Sequence, residues 1–470
     1  METPIFDEIK KLLDKNPISF HTPGHKGKNT LINWEEFVPQ LDITELYGMD
    51  NLHDPRGIIK ESQFLAAETF GSKTTLYSIN GTTGGIYIAL GTITNPGDKI
   101  LIQRNSHKSI YNGAILNRLE IEYIYPNYNK NYGLFTGVDL DIIEKKLKES
   151  PEIKAIVLTY PDYYGICSNI KRVAELAYRY DKLLLIDEAH GSHFVFSERL
   201  PISALKAGAD ITVQSIHKTL PSFTQTSMIH VGSNRVNIEK LKTMSSLYQT
   251  TSPSYLFMVS LEIARAYMEG EGKLKLERNL KKIHELTKEL KKVPRVNLFT
   301  GDKEDKTIFD KDITKILFRI DGITGPRLSE ILREKYNIYL EMEDYKYCLA
   351  LTSLMNQERD FDFLIKAVED IAKNIPYEET KDINIEIPKP KIGLPIYKAF
   401  YREKKVLNLN DSIGKLSASF IIPYPPGIPL ICPGELITKD LIEYIWFLMD
   451  KGIEIIGLIG YNREKIEVVD

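Results

Sequence analysis

Between about residues 70 and 235, short apolar runs alternate with longer stretches in which apolar residues recur at helical spacing. The short runs predict strands and the longer stretches predict the helices that connect them. This alternation is typical of an α/β domain with a mainly parallel sheet. The predicted strands are Thr75–Ile79, Lys99–Ile102, Ile121–Tyr125, Ala155–Thr159, Leu183–Ile186, Ile211–Gln214 and Ser227–Val231. The predicted helices are Gly84–Thr94, Ser109–Leu119, Asp139–Lys148 and Lys171–Tyr180.

After Pro253 the pattern changes to longer, charged helices, which predicts a separate and smaller α+β domain. Its predicted elements are the helices Leu256–Glu269, Leu274–Lys292, Gly325–Tyr336 and Phe361–Lys373 and the strand Thr314–Arg319. A stretch rich in Pro, Lys and Glu, Asn374–Lys391, predicts a linker to a third unit. We therefore divide the chain into residues 1–60, 61–255, 256–375 and 376–470, the last with a proline-rich loop at Pro423–Pro433.

The composition narrows the class of protein. With 470 residues, 43% of them hydrophobic and 27% charged, the chain can bury a large core and is not disordered. A net charge of −3 gives no general attraction to nucleic acid or anionic lipid. The cysteines Cys167, Cys348 and Cys432 lack CxxC spacing, so we expect core thiols in a reducing compartment and no metal site. Since neither a signal peptide nor a membrane span is visible, we expect a soluble cytoplasmic protein.

Two of the predicted strands lead into ionisable side chains. Asp187 and His190 follow one strand, and Ser215, His217 and Lys218 follow the next. Either segment alone is better explained as a capped strand end or a surface lysine. Because the carboxyl ends of parallel strands meet at one edge of a sheet, we expect the two segments to lie together. A lysine among hydroxyl and imidazole groups can have a lowered pKa and act as a nucleophile.

Two further segments reach the same edge of the predicted sheet. In residues 76–90 a strand turns through Asn80–Gly81 into a helix that begins near Thr83, with Gly84 next. Glycines and a helix N-terminus can hold a phosphate, although the signal is weak by itself. In residues 103–114, His107 follows a strand, and a helix cap is the alternative explanation for it.

A phosphate site, a strand-end aspartate and a strand-end lysine, in that order, are what pyridoxal phosphate requires. Over nearly its whole length the chain resembles the arginine/lysine/ornithine decarboxylases, a family of fold-type I pyridoxal phosphate enzymes. The matching stretches are FHTPGHKG (20–27), DITELYGMDNLHDPRGIIKES (42–62), SINGTTGG (78–85), RNSHKSIYNG (104–113), TYPDYYG (159–165), DEAHGSHF (187–194), QSIHKTLPSFTQTSMIH (214–230) and PYPPGIPLICPGE (423–435). The resemblance implies an aspartate aminotransferase-like large domain at 61–255 that binds the cofactor.

The resemblance also implies a role for each site residue. Lys218 would be the Schiff-base lysine, Asp187 the partner of the ring nitrogen, and His107 the histidine that stacks on the ring. Ser215, His217, Thr83 and Gly84 would hold the phosphate, with Gly84 standing where longer members of the family have a hydroxyl residue. His190 stands where those members have a tryptophan, which leaves its role open. His107, His217 or Lys218 would return a proton to Cα.

The implied reaction is decarboxylation of a basic amino acid for polyamine metabolism, with arginine favoured, then lysine, then ornithine. The alternatives are another fold-type I reaction, such as that of an aminotransferase, and a catalytically silent regulator. An aminotransferase would be expected to have an arginine in the small domain to hold the α-carboxylate, whereas the TPGH and YPPGIP elements favour decarboxylation.

The family builds its sites at a dimer interface, so we expect a homodimer or a dimer of dimers. The loops TPGHKG, NLHDPRG and YPPGIP resemble the elements that complete a neighbour's site. The distal cation of the substrate needs an acidic partner. The candidates, all in or beside such loops, are Asp42, Glu45, Asp50, Asp54 and Glu435.

Overall fold

A computed structural model describes residues 12–28, 38, 40–379, 388–424 and 427–470. Its strands are β1 (Ile18–Phe20), β2 (Thr74–Ser78), β3 (Lys99–Gln103), β4 (Glu120–Ile124), β5 (Tyr128–Asn129), β6 (Leu134–Phe135), β7 (Ile153–Thr159), β8 (Ile166–Cys167), β9 (Leu183–Asp187), β10 (Ile211–Ser215), β11 (Ser227–Val231), β12 (Val296–Phe299), β13 (Asp310–Lys311), β14 (Lys315–Ile320), β15 (Ile338–Leu340), β16 (Met342–Glu343), β17 (Cys348–Leu351), β18 (Lys404–Asn408), β19 (Ile422–Tyr424), β20 (Glu454–Ile456) and β21 (Lys465–Val469).

The α-helices of the described residues are α1 (Ile58–Phe70), α2 (Gly81–Ile93), α3 (Lys108–Leu116), α4 (Leu140–Glu149), α5 (Ile170–Arg179), α6 (Ala204–Ala207), α7 (Ile216–Thr219), α8 (Ile238–Tyr248), α9 (Tyr255–Glu269), α10 (Glu271–Leu290), α11 (Gly325–Tyr336), α12 (Glu358–Asn374), α13 (Ile396–Phe400) and α14 (Lys439–Asp450).

Seven strands form the central sheet in the order β2-β11-β10-β9-β7-β3-β4. β11 runs antiparallel to both of its neighbours, and all other neighbouring pairs are parallel. Every strand lies within two residues of its predicted bounds, so the predicted α/β domain with a mainly parallel sheet is confirmed. The pattern was informative because a strand buried on both faces is a continuous apolar run between turn residues.

Helices cover both faces of this sheet, and the apolar residues of each strand divide between two core clusters. Along β3, Ile100 and Ile102 belong to one cluster and Leu101 to the other, because successive side chains of a strand point to opposite faces. Helix α2 lies close to the sheet: a Cβ on Gly85 would stand 2.6 Å from Cγ1 of Val213. The glycine is therefore needed for packing, independently of any ligand.

A second sheet, in the order β12-β14-β17-β16, forms a smaller α+β unit with helices α9 to α12. The N-terminal strand β1 lies on this unit, paired in parallel with β15. Helix α12 begins three residues before the predicted start because Gln357 and Asp360 form a capping box, which the apolar pattern does not reveal.

The C-terminal unit has two small sheets, β18 with β21 and β19 with β20, packed with α14 around a separate apolar cluster. Pro425 and Pro426 of the YPPGIP loop lie outside the described residues, and the proposed domain boundaries stay predictions. The three cysteines are buried and unpaired, as expected for core thiols. Within the described part of the chain, no helix has the length and apolar character needed to cross a bilayer.

Candidate active site

Lys218 lies at the carboxyl-terminal edge of the central sheet. β10 ends at Ser215, and the single helical turn α7 that follows it includes His217 and Lys218. The adjacent strand β9 ends at Asp187, which pairs in register with Val213 of β10. The two segments that end in ionisable side chains therefore meet at one edge, as parallel neighbours must.

A hydrogen bond joins Lys218 to His190, with Nζ 3.1 Å from Nε2 of the ring. Burial lowers the pKa of Lys218 below its usual value, against the opposing charges of Asp187 and Glu341. A lowered pKa increases the fraction of free amine and so the reactivity of the lysine. The Nδ1 atom of His190 is buried without a partner among the described residues. It is therefore available to a bound group.

The Asp187 carboxylate is buried and has few partners of its own. The side chain is 3% exposed, and the amide of Ala189 provides its one side-chain hydrogen bond among the described residues. Burial raises the pKa of Asp187, while the charge of Lys218 lowers it. A buried carboxylate with one hydrogen bond is costly. A protonated ring nitrogen would supply the cationic donor that is missing.

The first turn of α2 faces the end of β10, but it offers different residues from those expected. Thr82 Oγ1 lies 2.5 Å from Ser215 Oγ, whereas Thr83 is exposed. The amide of Gly84 is already committed to the carbonyl of Asn80, because the helix begins three residues earlier than the apolar pattern predicts. The Thr82 hydroxyl and the first-turn amides of Thr82 and Thr83 are thus better placed for a phosphate than the Gly84 amide.

His107 caps a helix and also lies near Lys218. Its Nδ1 accepts a hydrogen bond from the amide of Ser109 and so caps α3. Burial, and next the charge of Lys218, lower the pKa of His107 to about 4, so the ring lies within electrostatic reach of the lysine. Because Nδ1 is an acceptor, the neutral ring has its proton on Nε2. Stacking of His107 on the cofactor ring stays a prediction.

His217 is oriented by the backbone of the following strand connection. Its Nδ1 donates to the carbonyl of Thr226 at 2.8 Å, which leaves Nε2 for a ligand. Burial lowers the pKa of His217 to about 4, so the ring is neutral at pH 7. A phosphate beside it would favour the protonated ring, since an anion stabilises a neighbouring cation.

The TPGH segment, Thr22–His25, packs against the lysine turn of its own chain. The amide of Gly24 donates to the carbonyl of His217 at 2.6 Å, and the Ser353 hydroxyl donates to the Gly24 carbonyl. A Cβ on Gly24 would lie 2.7 Å from the carbonyl oxygen of Leu220, so glycine is required. Strand β1 fixes the segment to the small unit of the same chain, and its contribution to a neighbour's site stays a prediction.

Two charged residues beside this segment were missed by the sequence analysis. The amide of Thr22 donates to Oε2 of Glu341 at 2.6 Å. Lys26 Nζ donates to the carbonyls of His21 and Leu351, and burial lowers its pKa to about 7. Lys26 belongs to the TPGHKG string and could have been found there. Glu341 follows a short strand without any motif, so only the tertiary structure identifies it.

The charges that raise the pKa of Lys218 are those of Asp187 and Glu341, and neither residue is one of the five acidic substrate candidates. The Asp50 carboxylate accepts hydrogen bonds from the amides of Arg56 and Gly57, just before α1, and so caps that helix. The exposed Asp54 pairs with Arg56. Asp42 is exposed, and Glu45 is half-buried with its Oε1 atom lacking a hydrogen-bond partner among the described residues. Asp50 therefore has a structural role as a helix cap, and the role of these four acids toward a substrate stays a prediction.

Glu435 has a structural role in this chain, and its role toward a substrate stays a prediction. It is 1% exposed and forms a 3.0 Å ion pair with Arg104, which is itself buried. Its Oε2 atom also accepts a hydrogen bond from the backbone amide of Cys432. The pair links the central sheet to the C-terminal unit.

The Arg104–Glu435 pair leads to a stability prediction. Replacing Glu435 with Ala leaves the Arg104 charge buried and unpaired, so we expect the free energy of unfolding to fall by about 3–5 kcal/mol. Urea denaturation followed by circular dichroism measures the effect. The double variant Glu435→Ala with Arg104→Met should recover part of the loss, because no unpaired charge remains. A single variant as stable as the wild type would contradict the structural role.

A cavity of about 470 Å³ opens beside the site, between the sheet edge, the small unit and the C-terminal unit. Its lining includes Asp162, Tyr163 and several other tyrosines, and most of the wall is apolar. The ring of Tyr163 also contacts that of His190, with 5.5 Å between centroids. Lys218 and Asp187 do not line the cavity, which therefore adjoins the reactive groups through Tyr163.

These residues fit pyridoxal phosphate. Lys218 provides an amine whose pKa is lowered. Asp187 provides a buried carboxylate that has no cationic hydrogen-bond donor among the described residues. His190 provides a buried nitrogen, Nδ1, that has no hydrogen-bond partner among them. At the phosphate end stand Thr82 and Ser215 with the N-terminus of α2. The cofactor therefore fits at the edge where β9, β10 and α2 meet.

Comparison with known proteins agrees with this arrangement. The family model described as Orn/Lys/Arg decarboxylase, major domain, matches residues 3–316, and that of the C-terminal domain matches residues 395–457. An arginine decarboxylase of Bacillus anthracis is 35% identical over 100% of this chain and 97% of its own length. The inducible lysine decarboxylase of Escherichia coli K12 is 25% identical over 96% of this chain and 77% of its own length.

The fold is also that of a solved relative. The structure of the E. coli constitutive lysine decarboxylase superposes with a TM-score of 0.78 at 20% identity, covering 100% of this chain and 82% of that one. The chain spans most of the length of each of these proteins. With the matching family models and the strand-end lysine, aspartate and phosphate site in place, the chain belongs to the Orn/Lys/Arg decarboxylase family and is a fold-type I, pyridoxal phosphate-dependent amino-acid decarboxylase.

Proposed function

We propose that this decarboxylase acts on arginine in preference to lysine and ornithine, and that its amine product enters polyamine metabolism. The observation that favours arginine is the 35% identity, over the full chain, to a protein named an arginine decarboxylase, against 25% to a lysine decarboxylase. A basic substrate agrees with the half-buried Glu341 carboxylate near the lysine.

The protein contributes side chains that hold the cofactor, keep its ring protonated and orient the substrate. When bound, pyridoxal phosphate supplies a protonated ring that takes up the electrons left as the α-carboxyl group departs as CO₂. Lys218 would hold the aldehyde end of the cofactor, Asp187 would keep the ring nitrogen protonated, and Thr82 with Ser215 would hold the phosphate. The surrounding side chains would orient the substrate so that its Cα–carboxylate bond stands perpendicular to the ring.

Among the three candidates, Lys218 is the best proton donor to Cα of the substrate. In the free protein, burial lowers the pKa values of His107 and His217 to about 4, so both rings are neutral at pH 7 before a phosphate binds beside His217. A donor works best with a pKa near the working pH. Burial brings the pKa of Lys218 down toward that range.

We also propose that the enzyme is a cytoplasmic homodimer or dimer of dimers. Buried, unpaired cysteines suit a reducing compartment. Leu46, Tyr47 and Met49 expose apolar side chains in the loop before α1, and Tyr47 is fully exposed. Contiguous exposed apolar residues are typical of a protein contact surface.

The test is CO₂ release from arginine, lysine and ornithine at equal concentration. We expect the highest kcat/KM with arginine. Light scattering on the assayed sample should give a multiple of the 53.8 kDa chain mass. Release from none of the three, with the visible absorption of bound cofactor intact, would contradict a basic substrate. A fully active monomer would contradict a shared site.

A further inference from the structure

Glu341 joins the small unit to the segment that contacts the lysine turn. It directly follows β15, the strand that pairs with β1, and β1 continues into Thr22. The amide of Thr22 donates to Oε2 of Glu341. The other oxygen, Oε1, has no hydrogen-bond partner among the described residues and is not among their buried, unsatisfied atoms. One side of this carboxylate is therefore held and the other side is open.

The same segment limits how far Glu341 lies from the lysine turn. Gly24, two residues after Thr22, donates its amide to the carbonyl of His217, the residue before Lys218. Two residues of extended chain span about 7 Å. A hydrogen bond of 2.6 Å at each end therefore keeps the Glu341 carboxylate and the His217 carbonyl within about 12 Å of each other.

Among the described residues, two carboxylates raise the pKa of Lys218 by their charge, namely Asp187 and Glu341. Asp187 is committed to the cofactor ring nitrogen. Of the two carboxylates that raise the pKa of Lys218, Glu341 is therefore the one that the cofactor leaves unused.

Glu341 has no ion-pair partner of its own in the described part of the chain. Lys26 lies on the same segment, and its ammonium group donates hydrogen bonds to the carbonyls of His21 and Leu351. Burial lowers the pKa of Lys26 to about 7, so it is only partly charged at neutral pH. His21, which also faces Glu341, has a pKa lowered by burial and is neutral there. A half-buried carboxylate without a matched cation favours a cationic ligand.

We infer that Glu341 is a specificity-determining residue that receives the distal cation of the substrate, with Oε1 accepting hydrogen bonds from its guanidinium or ammonium group. This inference rests on the proposed function, since it requires a basic amino acid. It assigns the distal cation to a residue of the small unit of the same chain, in place of the N-terminal loop acids and Glu435.

The test compares arginine with citrulline, its neutral isostere, in Glu341→Gln. Wild-type enzyme should strongly prefer arginine. In the variant the ratio of kcat/KM for arginine to that for citrulline should fall at least tenfold, mainly through a higher KM for arginine. Where citrulline turnover is below detection, its inhibition constant replaces kcat/KM. Glu341→Asp keeps the charge and should show an intermediate ratio.

Glu330→Gln is the matched control. Glu330 lies on α11 of the same small unit, and its carboxylate pairs with Arg327. Its variant should keep the wild-type ratio. The visible absorption of bound cofactor, measured for every variant, reports whether the site itself is intact.

The outcomes separate this inference from the proposed function. If Glu341→Gln lowers kcat/KM for arginine and for citrulline by the same factor, Glu341 only positions the Thr22–His25 segment and the inference is overturned. If Asp42→Asn or Asp54→Asn removes the discrimination instead, a neighbour's loop binds the cation and the inference is again overturned. If the wild type prefers arginine and the Glu341 variant keeps that preference, the inference alone fails. If the wild type decarboxylates no basic amino acid, both fail.

Discussion

Replacing Lys218 with Ala is expected to abolish turnover and the visible absorption of covalently held cofactor. Lys218 is the amine at the edge where Asp187 and the first turn of α2 converge, and its pKa is lowered by burial. Without this amine the cofactor loses its covalent attachment and the substrate loses its proton donor. We expect the rate to fall by roughly a thousandfold or more. Absorption spectra before and after borohydride reduction measure the attachment, and CO₂ release measures the rate.

The control for this variant is another buried lysine close to the site. Lys315 donates to the carbonyls of Asp162 and Tyr163, and the charge of Lys218 lowers its pKa further. Lys315→Met should keep the reducible absorption band. If Lys218→Ala keeps that band, another lysine holds the cofactor and the assignment of Lys218 is wrong. Thermal unfolding should be close to that of the wild type, because the one side-chain hydrogen bond of Lys218 among the described residues is the one to His190.

Replacing Asp187 with Ala should lower the decarboxylation rate by about a hundredfold or more while cofactor stays bound. The ring takes up electrons well only when its nitrogen is protonated, and a buried carboxylate favours that protonated form. Lys218 and the phosphate site remain, so the visible absorption should persist. Asp187→Asn, which keeps the shape and removes the charge, should be similarly slow. Near-normal turnover in either variant would contradict the proposed ion pair.

The adjacent residue gives a matched control for charge. Glu188 is fully buried, accepts hydrogen bonds from Gln214 and the amide of Ala204, and has a pKa raised by burial to about 8. At pH 7 it is therefore mostly neutral, so Glu188→Gln removes little charge. We expect its rate to stay within about tenfold of the wild type, since one hydrogen bond is rearranged. An equal loss in the two variants would indicate damage to the strand end in place of a lost ion pair.

Much of the scaffold could be predicted from the sequence because its signals are local. Each central strand is an apolar run between turn residues, and each was placed within two residues. The ends of β9 and β10 could be placed at one edge because parallel neighbours end together. The motif strings identified Lys218 and Asp187 by resemblance, and the structure brings these two residues to that edge.

The exact set of site residues could not be predicted in the same way. Successive residues of a helix turn by about 100°, so a three-residue shift in the start of α2 decides that Thr82 faces Ser215 while Thr83 is exposed. Local propensity does not fix a helix start that finely. The roles of Asp50 and Glu435 likewise depended on which amides and cations the fold places beside them.

The sequence by itself determined the strands, the helices between them and the order in which phosphate site, aspartate and lysine occur, because these depend on neighbours along the chain. Only the tertiary structure decided which partners meet across long separations. Thr22 and Glu341 form a hydrogen bond although they are 319 residues apart in the sequence. Lys218 and His190 form one across 28 residues. Such contacts arise from the packing of separately formed elements, and no spacing within the chain specifies them.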